Sequence, residues 1–227
     1  MAPAATTEHR FLASRSSGEV SGLLTLPATP QALYVFGHGA GAGMRHRFME
    51  AAAQGLSDRG IGSFRYEFPY MAQGRKAPNP APVLVATVRS AVAEATRLAP
   101  GLPLVAGGKS MGGRMTSTAA SREPLPGVRG LAFFGFPLHA AGRPSADRGA
   151  HLAAVGLPML FLQGTRDNLA ELTLLEPLLA TVRPPPRLHV VEGADHGFHV
   201  LKRSGRTDGD VLEELCGLMA SWVGSLG

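Results

Sequence analysis

Cysteine is almost missing: Cys216 is the only one in 227 residues. A single thiol cannot close an internal disulfide, which excludes a disulfide scaffold and suits a reducing compartment. No window approaches the roughly 18 unbroken apolar residues of a membrane-spanning helix. The opening residues, Met1 to Glu8, lack the basic start and apolar run of a secretory leader. Together these absences predict a cytoplasmic protein with no membrane partner. Aromatic residues are scarce at 6%, and 22 basic residues against 17 acidic leave a charge of only +5. The arginines are scattered and form no basic run interleaved with aromatics, so no nucleic-acid partner is expected. The excess of arginine over lysine, with abundant Ala, Gly and Pro, reads as a GC-rich bacterial coding bias.

The length suits one domain of the larger α/β kind, 1–227, able to bury a core without a disulfide or metal staple. Alternating apolar residues over Phe11 to Ser16 and Val20 to Leu26, with Gly18 between them, predict an antiparallel hairpin. A continuous apolar run ending at Gly37 predicts a strand buried on both faces at Ala32 to Phe36, and further strands are expected at Ile61 to Phe68, Leu102 to Ala106, Val128 to Phe134, Pro158 to Leu162 and Arg187 to Val191. Helical spacing fills the intervals: Phe48 to Arg59, Pro82 to Leu98, Gly113 to Ser121, Leu169 to Val182 and Asp208 to Val223. Strands alternating with helices predict an α/β fold, a mostly parallel central sheet with helices on both faces. The stretch His139 to Arg148 reads as a loop, too short to fold into a lid domain, so an open site is expected.

The chemistry-bearing feature is Gly108-Lys109-Ser110-Met111-Gly112, a G-x-S-x-G turn between a predicted strand and a predicted helix. Such a turn holds a serine hydroxyl at the C-terminal end of a sheet and at a helix N-terminus, where backbone N–H groups favour developing negative charge. A serine needs a base, and when the nucleophile sits on such a strand-to-helix turn the expected order is Ser, acid, His. Asp167 follows the strand ending at Leu162. His196 follows the strand ending at Val191, in the setting Gly193-Ala194-Asp195-His196-Gly197. His199 and Asp195 are the rivals; a residue adjacent to His196 is badly placed to bind its ring, so Asp195 is expected to shape the loop. Lys109 is expected to be solvated or salt-bridged, a Ser-Lys arrangement being the alternative.

Gly37-His38-Gly39-Ala40-Gly41-Ala42-Gly43 contains a G-x-G-x-x-G pattern, but it follows the third strand and no suitably placed acid comes after it. It reads instead as an oxyanion loop, with the N–H groups of Ala40 and Met111 as donors and His38 as a brace. Met44, Arg45, Tyr66, Tyr70, Phe136, His139 and Phe198 are the expected substrate-binding residues, with Arg45, Arg65 and Arg114 as candidates for a substrate carboxylate.

Taken together, Gly37-His38-Gly39-Ala40-Gly41, Gly107-Gly108-Lys109-Ser110-Met111-Gly112-Gly113-Arg114, Gly164-Thr165-Arg166-Asp167 and Asp195-His196 resemble the small, lidless α/β-hydrolases. The likeness is to the dienelactone-hydrolase-like group that includes the hydrolase-like domains of the testis-expressed and NSL-complex proteins. It implies a Ser-His-Asp triad and no cofactor or metal. Dienelactone hydrolases proper use a cysteine nucleophile, where this chain has Ser110. The expected function is a carboxylic-ester hydrolase of small or medium acyl or aryl esters, monomeric or homodimeric. A hydrolase-like scaffold with little catalysis, or a hydrolase of a thioester, amide or carbon–carbon bond, are the alternatives.

Overall fold

Every residue of β3 (Ala32–Gly37), β4 (Ile61–Tyr66), β5 (Leu104–Lys109) and β7 (Met159–Gly164) is buried. Strands covered on both faces need no polar alternation, which is why β3 reads as a continuous apolar run, although β4 also buries Ser63 and Arg65 and β5 ends on Lys109. The computed structural model describes residues 5–227; residues 1–4, the start of the stretch read for a leader, lie outside them. The remaining strands are β1 (Ala5–Ser14), β2 (Gly18–Leu26), β6 (Val128–Phe134) and β8 (Arg187–Val191). They form one sheet in the order β1-β2-β4-β3-β5-β6-β7-β8. The β1–β2 hairpin pairs antiparallel with β4, and every pairing from β4 through β8 is parallel.

Helices cover both faces. One face carries α1 (Arg47–Ser57) and α6 (Asp208–Gly224), packed through Met49, Leu56, Leu215 and Trp222 onto Phe36, Phe134 and Leu162. The other carries α3 (Ala81–Leu98), α4 (Met111–Arg122) and α5 (Leu172–Ala180), packed onto Phe64, Leu131 and Phe161. A short α2 (Pro69–Ala72) follows β4. The segment read from sequence as a loop to Arg148 ends in a 3-10 turn, Asp147–Ala154, that lies on α4 through a 2.7 Å contact between His151 and Ser117.

One strand runs further than its sequence suggests. The apolar run stops at Ala106, yet β5 continues through Gly107 and Gly108 to Lys109. Glycine ordinarily weakens a strand. Here it is required, because a methyl group on Gly107 would lie 1.8 Å from the Ala132 carbonyl oxygen and one on Gly108 would lie 2.4 Å from that of Gly37. The parallel arrangement brings the C-terminal ends of β3, β5, β7 and β8 to one edge of the sheet, where ligands bind in open α/β folds.

Candidate active site

The site begins with strain. Ser110, between β5 and α4, has φ 52° and ψ −117°, a backbone conformation that few non-glycine residues adopt. Its N–H donates to the Phe134 carbonyl at 3.1 Å, and its own carbonyl accepts from Arg114 N–H at 3.1 Å, starting the helix. The turn fits because its flanking residues lack side chains. A Cβ on Gly112 would sit 2.2 Å from the Gly37 carbonyl oxygen, and one on Gly113 would sit 2.9 Å from that of Gly108.

From Ser110 Oγ a chain of short contacts runs across the strand ends. His196 Nε2 lies 2.8 Å from Oγ, and His196 Nδ1 lies 2.7 Å from Asp167 Oδ2. The Asp167 side chain is fully buried. It also accepts from Gln163 Nε2 at 2.5 Å and, through Oδ1, from the Leu169 N–H at 2.8 Å. These bonds fix the plane of the carboxylate and leave Oδ2 directed at the imidazole. Gln163, on β7, was not singled out in the sequence; a glutamine in a buried strand, four residues before the acid, was the available signal.

Asp195 shapes the histidine loop as expected: its Oδ1 accepts from Gly197 N–H at 2.8 Å and His199 N–H at 3.0 Å. The rival His199 is exposed and paired with Asp208 at 3.0 Å. A second serine–histidine contact, Ser117 with His151, is of another kind. Ser117 is buried in the middle of α4 and its hydroxyl also bonds the Arg114 carbonyl. Burial, with Arg114 and Arg122 nearby, pulls His151 down to about 4, and among the described residues no carboxylate holds its ring. That pair ties the 3-10 turn to the helix.

The Gly37–Gly43 loop lies beside the serine: a Cβ on Gly39 would sit 3.7 Å from the Ser110 Cβ. Among the described residues, no protein acceptor takes the N–H of Ala40 or of Met111, whereas Gly41 N–H donates to Tyr70 Oη at 2.9 Å. His38 braces the loop from beneath: Nδ1 meets the Gly39 carbonyl at 2.7 Å, and Nε2 meets Phe68 N–H at 3.1 Å and Glu67 Oε1 at 3.0 Å.

Several sequence expectations need correction. Lys109 is neither solvated nor salt-bridged. It is buried, donates to the His196 carbonyl at 2.5 Å, and lies over the rings of Phe48 and Phe198 at 5.7 and 5.3 Å. Most residues expected to line a substrate pocket are core. Met44, Tyr66, Tyr70, Phe136 and His139 are each at most 3% exposed. Phe136 packs on Phe133 and Phe161, and Tyr66 on Phe68. Arg45 pairs with Glu8 on the hairpin at 2.7 Å, away from the serine, and Arg65 turns inward onto the Met44 carbonyl. Aromatic side chains after strand ends were more valuable to the apolar layers than to an open cleft. Phe198, also only 3% exposed, borders a groove of about 570 Å³ lined by Arg47, Phe48, His199 and Leu212, and Ser110, Asp167 and His196 are not among its lining residues. Arg114, partly buried, has no ion-pair partner among the described residues.

Known proteins agree with this architecture. Residues 30–224 match the family described as alpha/beta hydrolase domain, which leaves out residues 1–29, the hairpin among them, and the last three residues. Among solved structures, a dienelactone hydrolase from Anabaena variabilis superposes with a TM-score of 0.77 at 19% identity, over 97% of each chain. The esterase domain of a Rhodothermus marinus protein gives 0.74 at 16%, over 98% of this chain and 100% of that one. A serine hydrolase without a lid from Xanthomonas campestris gives 0.74 at 19%, over 98% and 96%. The strained serine turn, the mostly parallel sheet and the match over most of the sequence lead to one conclusion: the chain belongs to the alpha/beta hydrolase domain family.

Proposed function

We propose that the protein is a serine hydrolase that cleaves carboxylic esters of small or medium acyl or aryl groups through an acyl-enzyme on Ser110. The observation that carries this reading is the unbroken contact chain Ser110–His196–Asp167, 2.8 Å then 2.7 Å. His196 Nε2 accepts the hydroxyl proton as Ser110 Oγ attacks the ester carbonyl carbon. Asp167 orients the ring and stabilises the imidazolium that forms. The tetrahedral oxyanion is met by the N–H groups of Ala40 and Met111, which are free to donate, and by the positive end of α4. Removing one such donor would cost roughly 3 kcal/mol of transition-state stabilisation. The tetrahedral species collapses as His196 returns the proton to the departing alcohol oxygen. Water, deprotonated by the same imidazole, then releases the carboxylic acid and restores Ser110.

No helix among the described residues is long and apolar enough to cross a membrane. We read the protein further as a cytoplasmic enzyme acting on a small molecule, without a cofactor, as a monomer or homodimer. The test is hydrolysis of p-nitrophenyl acetate and butyrate with Ser110→Ala as control, beside labelling by a fluorophosphonate. Turnover and labelling that vanish together in Ser110→Ala are expected. Undiminished turnover in Ser110→Ala would overturn the assignment. Folded wild-type protein that neither labels nor turns over would favour a binding module, and activity confined to thioesters or amides would reassign the scissile bond.

A further inference from the structure

Lys109 is the one buried ammonium beside the serine, and the reaction as written gives it no task. Adjacent residues at a strand end point to opposite sides. Ser110 Oγ faces His196, whereas the Lys109 side chain passes into the α1/α6 face, between Phe48 on α1 and Phe198 on the histidine loop. From there it rises to the His196 backbone carbonyl at 2.5 Å. Glycine at 135 leaves room for this, because a Cβ there would lie 2.9 Å from Lys109 Nζ and 3.4 Å from His196 Cε1. The strand that carries the nucleophile and the loop that carries the base are therefore joined twice: through the Ser110–His196 side-chain contact, and through Lys109 to the His196 main chain.

We propose that Lys109 is a positioning residue, a tether that locks the His196 main chain to β5 and so holds the imidazole in register with Ser110. The inference rests on Ser110 and His196 acting as nucleophile and base. Ala194 and Phe198 are buried and Asp195 bonds the loop to itself, but the His196 side chain is about one-fifth exposed, and Lys109 is the residue whose side chain bonds the His196 carbonyl to β5. A carbonyl there could be satisfied by water. The chain instead desolvates a cation to satisfy it, with Asp167 and Asp195 the carboxylates whose charge compensates, and two aromatic rings near the ammonium. Phe198, held at φ 64°, is itself part of the loop being clamped.

The test uses Lys109→Met, which keeps the length and apolar stem but removes the donor, and Lys109→Gln, which keeps a shorter neutral donor. Wild-type protein labelled at Ser110 by a fluorophosphonate establishes the underlying reading; failure there sinks that reading and not the tether. Given labelling, Lys109→Met is expected to lower both kcat on p-nitrophenyl butyrate and the labelling rate at least about tenfold while KM stays within about twofold, the signature of a misplaced group rather than a lost binding contact. Lys109→Gln is expected to recover part of kcat. A Met variant that folds, by circular dichroism and melting, and retains kcat within about threefold overturns the proposal. So does a loss carried by KM alone, or a Gln variant no better than Met. If neither variant folds, histidine-selective NMR of wild-type protein replaces them: the His196 ring signals should shift when Lys109 titrates, and insensitivity to that titration overturns it.

Discussion

Ser110 is held in a conformation that suits glycine, and strain of this sort is of order 1–3 kcal/mol. Ser110→Ala and Ser110→Gly both remove the hydroxyl, but only the second relieves the backbone. Ser110→Gly should therefore be the more stable of the two by about 1 kcal/mol in urea unfolding, after the extra chain entropy of glycine is counted. Lys109 gives a pH-dependent prediction. Burial lowers it from its ordinary 10.5 to about 8. Between those values the unfolded chain binds more protons than the folded one, so this group makes the fold more stable as pH rises from about 8 to 10.5, and that gain is lost as pH falls through 8. Relative to Lys109→Met, the wild type should gain up to about 3 kcal/mol across that window, read as a changing difference between two unfolding curves. At this scale the sequence was most legible where order and context coincide. Ser110, Asp167 and His196 each follow a strand, in the sequence an α/β hydrolase requires, and the structure brings their side chains within hydrogen-bond distance. It was least legible for Lys109, because a neighbour's identity does not tell which face of the sheet a long side chain enters.

The strands were readable from their apolar runs, and β6 and β8 have the bounds that composition suggests. The misread portions share a cause: close approach between elements, which leaves no periodic trace. β5 looked shorter because glycine there reports a neighbouring backbone rather than a turn. Tyr66, Tyr70 and Phe136 looked like pocket walls because nothing local separates an aromatic that packs inward from one that faces solvent. The hairpin supplies the prediction at this level. It lies outside the family match, yet β2 pairs along β4, and β1 is fastened to α3 by Ser90 Oγ on the Ala13 carbonyl at 3.0 Å. A chain begun at residue 30 would leave β4, buried throughout in the full chain, as an unpaired edge, which templates association. Light scattering after size exclusion should show that truncated protein aggregating at concentrations where the full chain stays monodisperse. A further change within one element checks its cap: Thr207 begins α6 in a reciprocal box with Asp210, and Thr207→Ala should cost about 1 kcal/mol in the same urea assay.

Across the whole molecule, two apolar layers lie on opposite faces of one eight-stranded sheet, and each strand between β4 and β7 belongs to both. Neither layer is complete without the sheet, so 1–227 should unfold as one cooperative unit. The calorimetric and van't Hoff enthalpies should then agree; a ratio well above one would reveal separable parts. The members of the Ser110–His196–Asp167 contact chain stand at the ends of three different strands, β5, β7 and β8, and the last of them stands near the C-terminal end of the chain. No fragment ending before β8 holds more than two of the three. Covalent capture of Ser110 by a fluorophosphonate thus becomes a clock for folding: in refolding from urea, its onset should trail the return of helical signal and mark the moment the far half of the sheet docks.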